Sequence, residues 1–183
     1  MPERKLRRIL YRWRVRSAIL FLVAVLVLAR PTPLWLVLGG AVSLWGLGIR
    51  AWASGHIRKE KILAVTGPYR YSRNPLYLGN FFLGLGIALG THSRWGMGIF
   101  LLYFLIFYPP VILEERERMR RLFPGEYDAY RKNVPLFFPT FSSGLPKGSA
   151  RWSSALYRKN GEYRAFVGTV IVWAIFALKM ALG

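Results

Sequence analysis

Apolar runs of membrane length alternate along this chain with short, strongly basic connections. Five runs stand out, at residues 15–29, 34–53, 76–91, 95–113 and 163–182. Their apolar residues are continuous rather than alternating, which at this length reads as helix rather than strand. In hydrocarbon the backbone must satisfy its own hydrogen bonds, which helices do within a single segment. Several runs fall short of the ~20 residues an upright span needs, so tilt or local bilayer thinning is expected. The pattern predicts an all-α, polytopic integral membrane protein with about five transmembrane helices.

Composition sharpens this reading. The chain is 54% hydrophobic with a net charge of +19. A basic balance points first to nucleic acid or to an anionic membrane surface. The apolar runs decide for the membrane, and the chain has no aromatic-rich RNA-binding strand motif and no zinc-knuckle spacing. Of the 27 Lys and Arg, 24 fall on one side of the five-span map, and only Arg30, Arg94 and Lys179 fall on the other. The positive-inside rule then places the N-terminus in the cytoplasm and draws anionic lipid headgroups to that face. A cleaved signal peptide is the competing reading of the first apolar run. The turn Arg30-Pro31-Thr32-Pro33 leads straight into the second run, so a helical hairpin fits better.

Cysteine is absent, which removes thiolate nucleophiles, disulfides and Fe–S clusters. The two histidines, His56 and His92, are far apart and form no HxxxH or HExxH pattern, so no metal site is expected. Glycines recur in the second and third runs, at Gly39, Gly40, Gly46 and Gly48 and at Gly79, Gly84, Gly86 and Gly90. The Gly86/Gly90 spacing is that of close helix–helix packing. The Ser/Gly/Pro-rich stretch 141–154 reads as a connector.

Two polar clusters sit where apolar runs end. The first is Gly67-Pro-Tyr-Arg-Tyr-Ser-Arg-Asn-Pro-Leu-Tyr-Leu-Gly79; the second begins at Glu114-Glu115 and continues through Tyr127-Asp-Ala-Tyr130 to Val134-Pro135. Ionisable groups at a membrane boundary are costly, so a functional site is the default expectation. Pro75 fits a first helical turn and Asn74 the N-cap before it. The free N–H groups of that turn, with Arg73 beside them, make a carboxylate holder. Glu114 and Glu115 offer a place for an ammonium or a ribose hydroxyl, and Tyr69, Tyr77 and Tyr130 can wall a flat ring. Carboxylate holder, amine holder and aromatic wall together are the recognition kit for S-adenosylmethionine. The bland reading, a solvated helix laced with pairs such as Glu114–Arg118 and Glu117–Arg121, accounts for the second cluster alone but not for both together.

The segment 69–79 resembles the Arg-His-Pro-x-Tyr-x-Gly element of the isoprenylcysteine carboxyl methyltransferase and phospholipid methyltransferase superfamily. Glu114-Glu115-x-x-x-Met119, Phe123, Tyr127-x-x-Tyr130 and Val134-Pro135 are similar to its C-terminal tail. The match covers roughly residues 50–139. The resemblance implies a single membrane-embedded domain over 1–183, with a hairpin at 14–55, a cofactor-binding core at 56–139 and a C-terminal helix at 155–183. It implies S-adenosylmethionine in a cytoplasmic pocket, against Lys61, Ile62, Leu63, Ala64, Tyr69, Asn74, Pro75, Leu76, Tyr77 and Glu115, with Arg73 and Glu114 added from the residue reading. No catalytic residue is singled out.

Two departures bear on the acceptor. Asn74 replaces the usual His, and Val111 stands where the prenylcysteine enzymes carry an Arg that faces the substrate carboxylate. The expected activity is methyl transfer to a lipid-like or prenylated acceptor, by carboxyl O-methylation or amine N-methylation. Glu162, at the entrance of the last run, has two readings, facing the pocket or serving as a flanking charge, and the second fits better. The alternatives are an NADPH-dependent membrane reductase of the sterol-reductase type and a non-catalytic protein that binds anionic lipid. Sterol reductases carry more spans and a different tail motif.

Overall fold

The structure is a computed structural model that describes residues 17–58, 61–141, 144–145 and 150–182. Its helices are α1 (Ser17–Leu28), α2 (Pro33–Ser54), α3 (Pro75–Gly90), α4 (Arg94–Leu122), α5 (Glu126–Asn133), α6 (Ser154–Lys159) and α7 (Tyr163–Leu182). A 3-10 turn, Gly67–Arg70, precedes α3. No strand occurs among the described residues. Three helices, α2, α4 and α7, are long and apolar enough to cross a membrane. The expected first and third spans appear as the shorter apolar helices α1 and α3. Residues 15 and 16 of the first run, and the basic N-terminal stretch, lie outside the described residues.

The fourth run does not stop where its apolar character does. α4 continues through Pro109, Pro110 and Glu114-Glu115 to Leu122, 29 residues in one helix. At 1.5 Å per residue it is about 43 Å long, well beyond a ~30 Å hydrocarbon core. Its polar last turns therefore stand clear of the apolar bundle.

α2 and α3 form the closest helix pair. A Cβ placed on Gly46 would lie 2.5 Å from the Leu83 nitrogen, and one on Gly39 the same distance from the Gly86 carbonyl oxygen. The small residues thus let two backbones touch, and the Ser43 hydroxyl crosses the gap to the Leu83 carbonyl at 3.3 Å. Gly40 and Gly48 meet nothing within 4 Å, so only part of the glycine pattern serves packing.

Two separate cores result. Val25, Ala29, Ile87, Val172 and Phe176 join α1, α3 and α7 within the apolar bundle. Leu63, Tyr127, Tyr130 and Val134 form a second core beyond the apolar runs, with Met119 and Phe123 of α4 packed against it.

The segment after α5 works as a strap. Pro135 O accepts from Arg73 N (3.0 Å), Leu136 O from Asn74 Nδ2 (2.9 Å), Phe137 O from Ser72 Oγ (2.7 Å), and Thr140 N donates to Tyr71 O (2.9 Å). These bonds pin the loop that starts α3. The C-terminal part stitches the other side: Trp152 Nε1 donates to Ala51 O (2.9 Å), Ser153 N to Gly55 O (3.0 Å), and Asn160 Nδ2 to Ser54 O (2.9 Å) and Ile57 O (3.2 Å). These bonds tie the C-terminal part to the end of α2 and the turn after it, where a finishing helix leaves carbonyls such as that of Ser54 in need of partners.

Candidate functional site

The loop before α3 with the first turns of that helix, the polar end of α4 and the tyrosines of α5 line a cavity of about 430 Å³. That falls in the range of small-molecule sites, roughly 300–1,000 Å³. Ten of the residues expected from the sequence line it: Ile62, Leu63, Ala64, Tyr69, Arg73, Asn74, Pro75, Leu76, Tyr77 and Glu115. Two do not. Lys61 is exposed at the surface. Glu114 turns away toward Arg121, at 3.8 Å. Neighbouring residues on a helix point about 100° apart, and of the Glu114-Glu115 pair one faces the cavity. It is Glu115, with Arg118 and Met119 on the same face one turn on.

The ion pairs on α4 differ from the expected i,i+4 set. Glu115 lies 3.9 Å from Arg118, and Glu117 pairs with its neighbour Arg116 at 3.0 Å. Both pairs are exposed enough that each is worth little by itself.

Asn74 occupies the N-cap position of α3 but makes no side-chain cap bond. Its amide is instead committed to the strap carbonyl of Leu136, and its backbone N–H is taken by Ser72 Oγ at 3.2 Å. The capping role expected from the sequence loses to a tertiary bond that locks the loop.

Arg73 is held by Tyr127. Its Nη1 donates to the phenol oxygen at 3.1 Å, and its guanidinium carbon lies 5.7 Å from the ring centre. Its Nε is buried without a partner. Tyr69 is 5% exposed, and its hydroxyl is likewise buried with no partner, while its carbonyl accepts from Tyr130 Oη at 2.6 Å. A buried hydroxyl left unpaired costs roughly 1–3 kcal/mol, so something is expected to meet it.

Burial pushes both the Tyr69 and Tyr130 phenols well above their ordinary value of 10.0, with Arg73 pulling Tyr130 back part of the way. Both phenols are neutral at physiological pH. The stability they lend is fully present below pH 10 and is lost as pH rises through their folded values. In alkaline unfolding followed by circular dichroism, wild-type stability should fall more steeply above pH 10 than that of Tyr69→Phe.

Sequence reading passed over two residues, Arg50 and Asn80, and gave a third, Glu162, the wrong role. Arg50 of α2 and Asn80 of α3 line the cavity, and Arg50 Nη2 bonds Glu162 Oε2 at 2.7 Å. Glu162 is 9% exposed and so is no flanking surface charge. The available signal was a lone Arg and a lone Asn inside apolar helices near their ends. A larger cavity, about 660 Å³, opens at the other end of the bundle between Arg30, Trp35, His92 and Arg94. Among the described residues no carboxylate lines it and its cations are exposed, so the chemistry concentrates in the smaller one.

Fold and cavity define a helical membrane protein with a polar pocket at the end of its apolar bundle. The chain belongs to the phospholipid methyltransferase family, whose model matches residues 32–126. It is 35% identical over 153 residues to the cobalt-zinc-cadmium resistance protein CzcN of Cupriavidus metallidurans, covering 80% of this chain and 69% of that protein. It is 35% identical over 122 residues to the nickel-cobalt-cadmium resistance protein NccN of Alcaligenes xylosoxydans xylosoxydans, covering 66% of this chain and 51% of the relative. The protein-S-isoprenylcysteine O-methyltransferase of Saccharomyces cerevisiae matches at 32% over 89 residues, 46% of this chain and 37% of the enzyme. No solved structure matches significantly. The superfamily resemblance read from the motifs is thereby confirmed. Among the described residues no group of three or more His, Cys, Asp or Glu is placed to hold a metal ion.

Proposed function

We propose that the protein transfers a methyl group from S-adenosylmethionine to an amphipathic, lipid-like acceptor at the cytoplasmic face of a membrane. The observation that carries this reading is the meeting, in one cavity, of the family-matched loop 69–77 with Glu115 and the tyrosines of the tail. The residues present fit the donor. Glu115 is the one carboxylate on the cavity wall among the described residues and suits the donor's ammonium group. Arg73 and the first turn of α3 suit its carboxylate. The orphaned Tyr69 hydroxyl can hydrogen-bond it, and Tyr77 offers ring surface.

When bound, S-adenosylmethionine supplies an electrophilic methyl group. The chain's part is to hold both partners in line, which makes the encounter effectively unimolecular, and to keep water out. The apolar runs let the acceptor's tail stay in the bilayer while its head enters the cavity. The charge asymmetry of the chain supports the cytoplasmic placement and contact with anionic headgroups.

Calorimetric titration of the detergent-purified protein with S-adenosylhomocysteine, with NADPH as the control, tests this reading. Micromolar binding of the first and none of the second is expected. The reverse would make the protein a reductase, and no binding of either would leave a lipid-binding protein without catalysis. Tyr69→Phe should weaken S-adenosylhomocysteine by about 1 kcal/mol without loss of fold, because the deleted hydroxyl has no protein partner. Unchanged affinity would remove Tyr69 from the donor site.

A further inference from the structure

The floor of the cavity is built from hydrogen-bond donors. Arg50 crosses from α2 to α3, where its Nη1 bonds Asn80 Oδ1, while its Nη2 bonds Glu162 Oε2 at 2.7 Å. A guanidinium has donors only, so the Asn80 oxygen must face it and the Asn80 NH₂ is turned elsewhere. Arg50 and Asn80 both line the cavity. The Asn80 NH₂ carries no bond to a described residue, and Arg50 Nε is buried without a partner. Gly79 makes the crossing possible, since a Cβ there would lie 2.6 Å from Arg50 Cγ. The wider wall agrees in sign: among the described residues five arginines line it, Arg50, Arg58, Arg73, Arg116 and Arg118, against Glu115, and with the carboxylates paired to them, Glu162 and Glu117, the balance stays positive.

We propose that Arg50 and Asn80 receive the head of the methyl acceptor, that this head is an anionic oxygen group (a carboxylate or a phosphate ester) rather than an amine, and that Glu162 positions Arg50 for it. The inference rests on the methyltransferase reading and narrows it. An ammonium head brings only donors to a wall of donors, and positive charge to a wall of arginines. An oxyanion brings acceptors and the opposite charge. The Arg that prenylcysteine enzymes place ahead of their glutamate is Val111 here, fully buried, and Arg50 supplies a guanidinium from the opposite wall instead. The chemistry then needs no base. The acceptor oxygen attacks the methyl carbon, the O–C bond forms as the S–C bond breaks, and the electron pair stays on sulfur to give the neutral thioether. No proton moves. Glu162 lies outside the family-matched segment, so this chain completes its acceptor site with a residue from its C-terminal part.

The test uses full-length protein in neutral detergent, methyl-labelled S-adenosylmethionine and a total lipid extract of the membranes in which it is expressed. Fragmentation mass spectrometry locates the transferred methyl, and S-adenosylhomocysteine is titrated in parallel. The expected result is label on oxygen of a lipid, with a carboxylate methyl ester and a phosphate methyl ester separated by their fragments. Transfer should fall more than tenfold in Asn80→Leu and Glu162→Gln and recover in part in Glu162→Asp, while affinity for S-adenosylhomocysteine changes less than threefold. Label on nitrogen overturns the proposal, as does full transfer in both variants. Intact S-adenosylhomocysteine binding with no label in any lipid overturns the assignment of the floor to a lipid acceptor. Loss of S-adenosylhomocysteine binding in the wild type sinks the methyltransferase reading itself.

Discussion

Gly86→Leu should leave no stably folded protein, read as loss of the monodisperse peak on detergent size exclusion and of the cooperative thermal transition. A Cβ at position 86 would meet the Gly39 carbonyl oxygen and the Ser43 nitrogen, each at 2.5 Å. Both are backbone atoms of α2, so neither can swing aside as a side-chain tip would. Relief would require the two helices to part along their whole contact, which would also unseat Ser43 from Leu83 and Arg50 from Asn80. Overpacking ordinarily costs about 1–3 kcal/mol, and forcing apart two backbones in contact belongs at or above the top of that range. Gly40→Leu is the matched control, since a Cβ there meets nothing within 4 Å. Equal loss in both variants would show that leucine is refused for some reason other than the α2–α3 contact.

The second large effect is expected at Glu115. Glu115→Gln should weaken S-adenosylhomocysteine by about 1.5–3 kcal/mol, the usual worth of a hydrogen bond to a charged group. That is roughly a 10- to 150-fold rise in Kd. The same change at Glu114 should cost little, because Glu114 points at Arg121 outside the cavity. Arg73→Lys belongs with Glu115→Gln: the ammonium keeps the charge but loses the guanidinium fork that now engages Tyr127. If Glu115→Gln and Arg73→Lys both bind like wild type, the donor is not held in this pocket.

Much of the site was legible because its residues break local rules. Arg73, Asn74 and Glu115 are polar where membrane-length runs end, and the tyrosines follow at fixed spacings. The register on α4 was not legible: adjacent glutamates look alike in a sequence, and only the helix decides which one faces inward. Asn74 shows a second limit. Asn before Pro predicts a cap, yet a carbonyl 62 residues away takes its amide. Arg50 and Glu162 show a third. Each reads as one more charge in a basic chain, and nothing local announces that residues 112 apart pair at 2.7 Å. The apolar runs predicted the helices well in place, but α4 ran on past its apolar part. Helical propensity in the Glu/Arg-rich stretch sustains it there without help from hydrocarbon.

The length of α4 has a consequence for which molecules can react at all. Its apolar part, residues 95–113, is about 28 Å at helical rise, close to one hydrocarbon thickness. Where that part crosses a bilayer, Glu115 stands within one turn of the lipid boundary, on the same unbroken helix. The helix is then a depth gauge. Chain length in the acceptor would matter less than how far its reactive atom sits from the point where its tail becomes greasy, and two lipids with identical heads but different spacers would differ in rate by geometry alone.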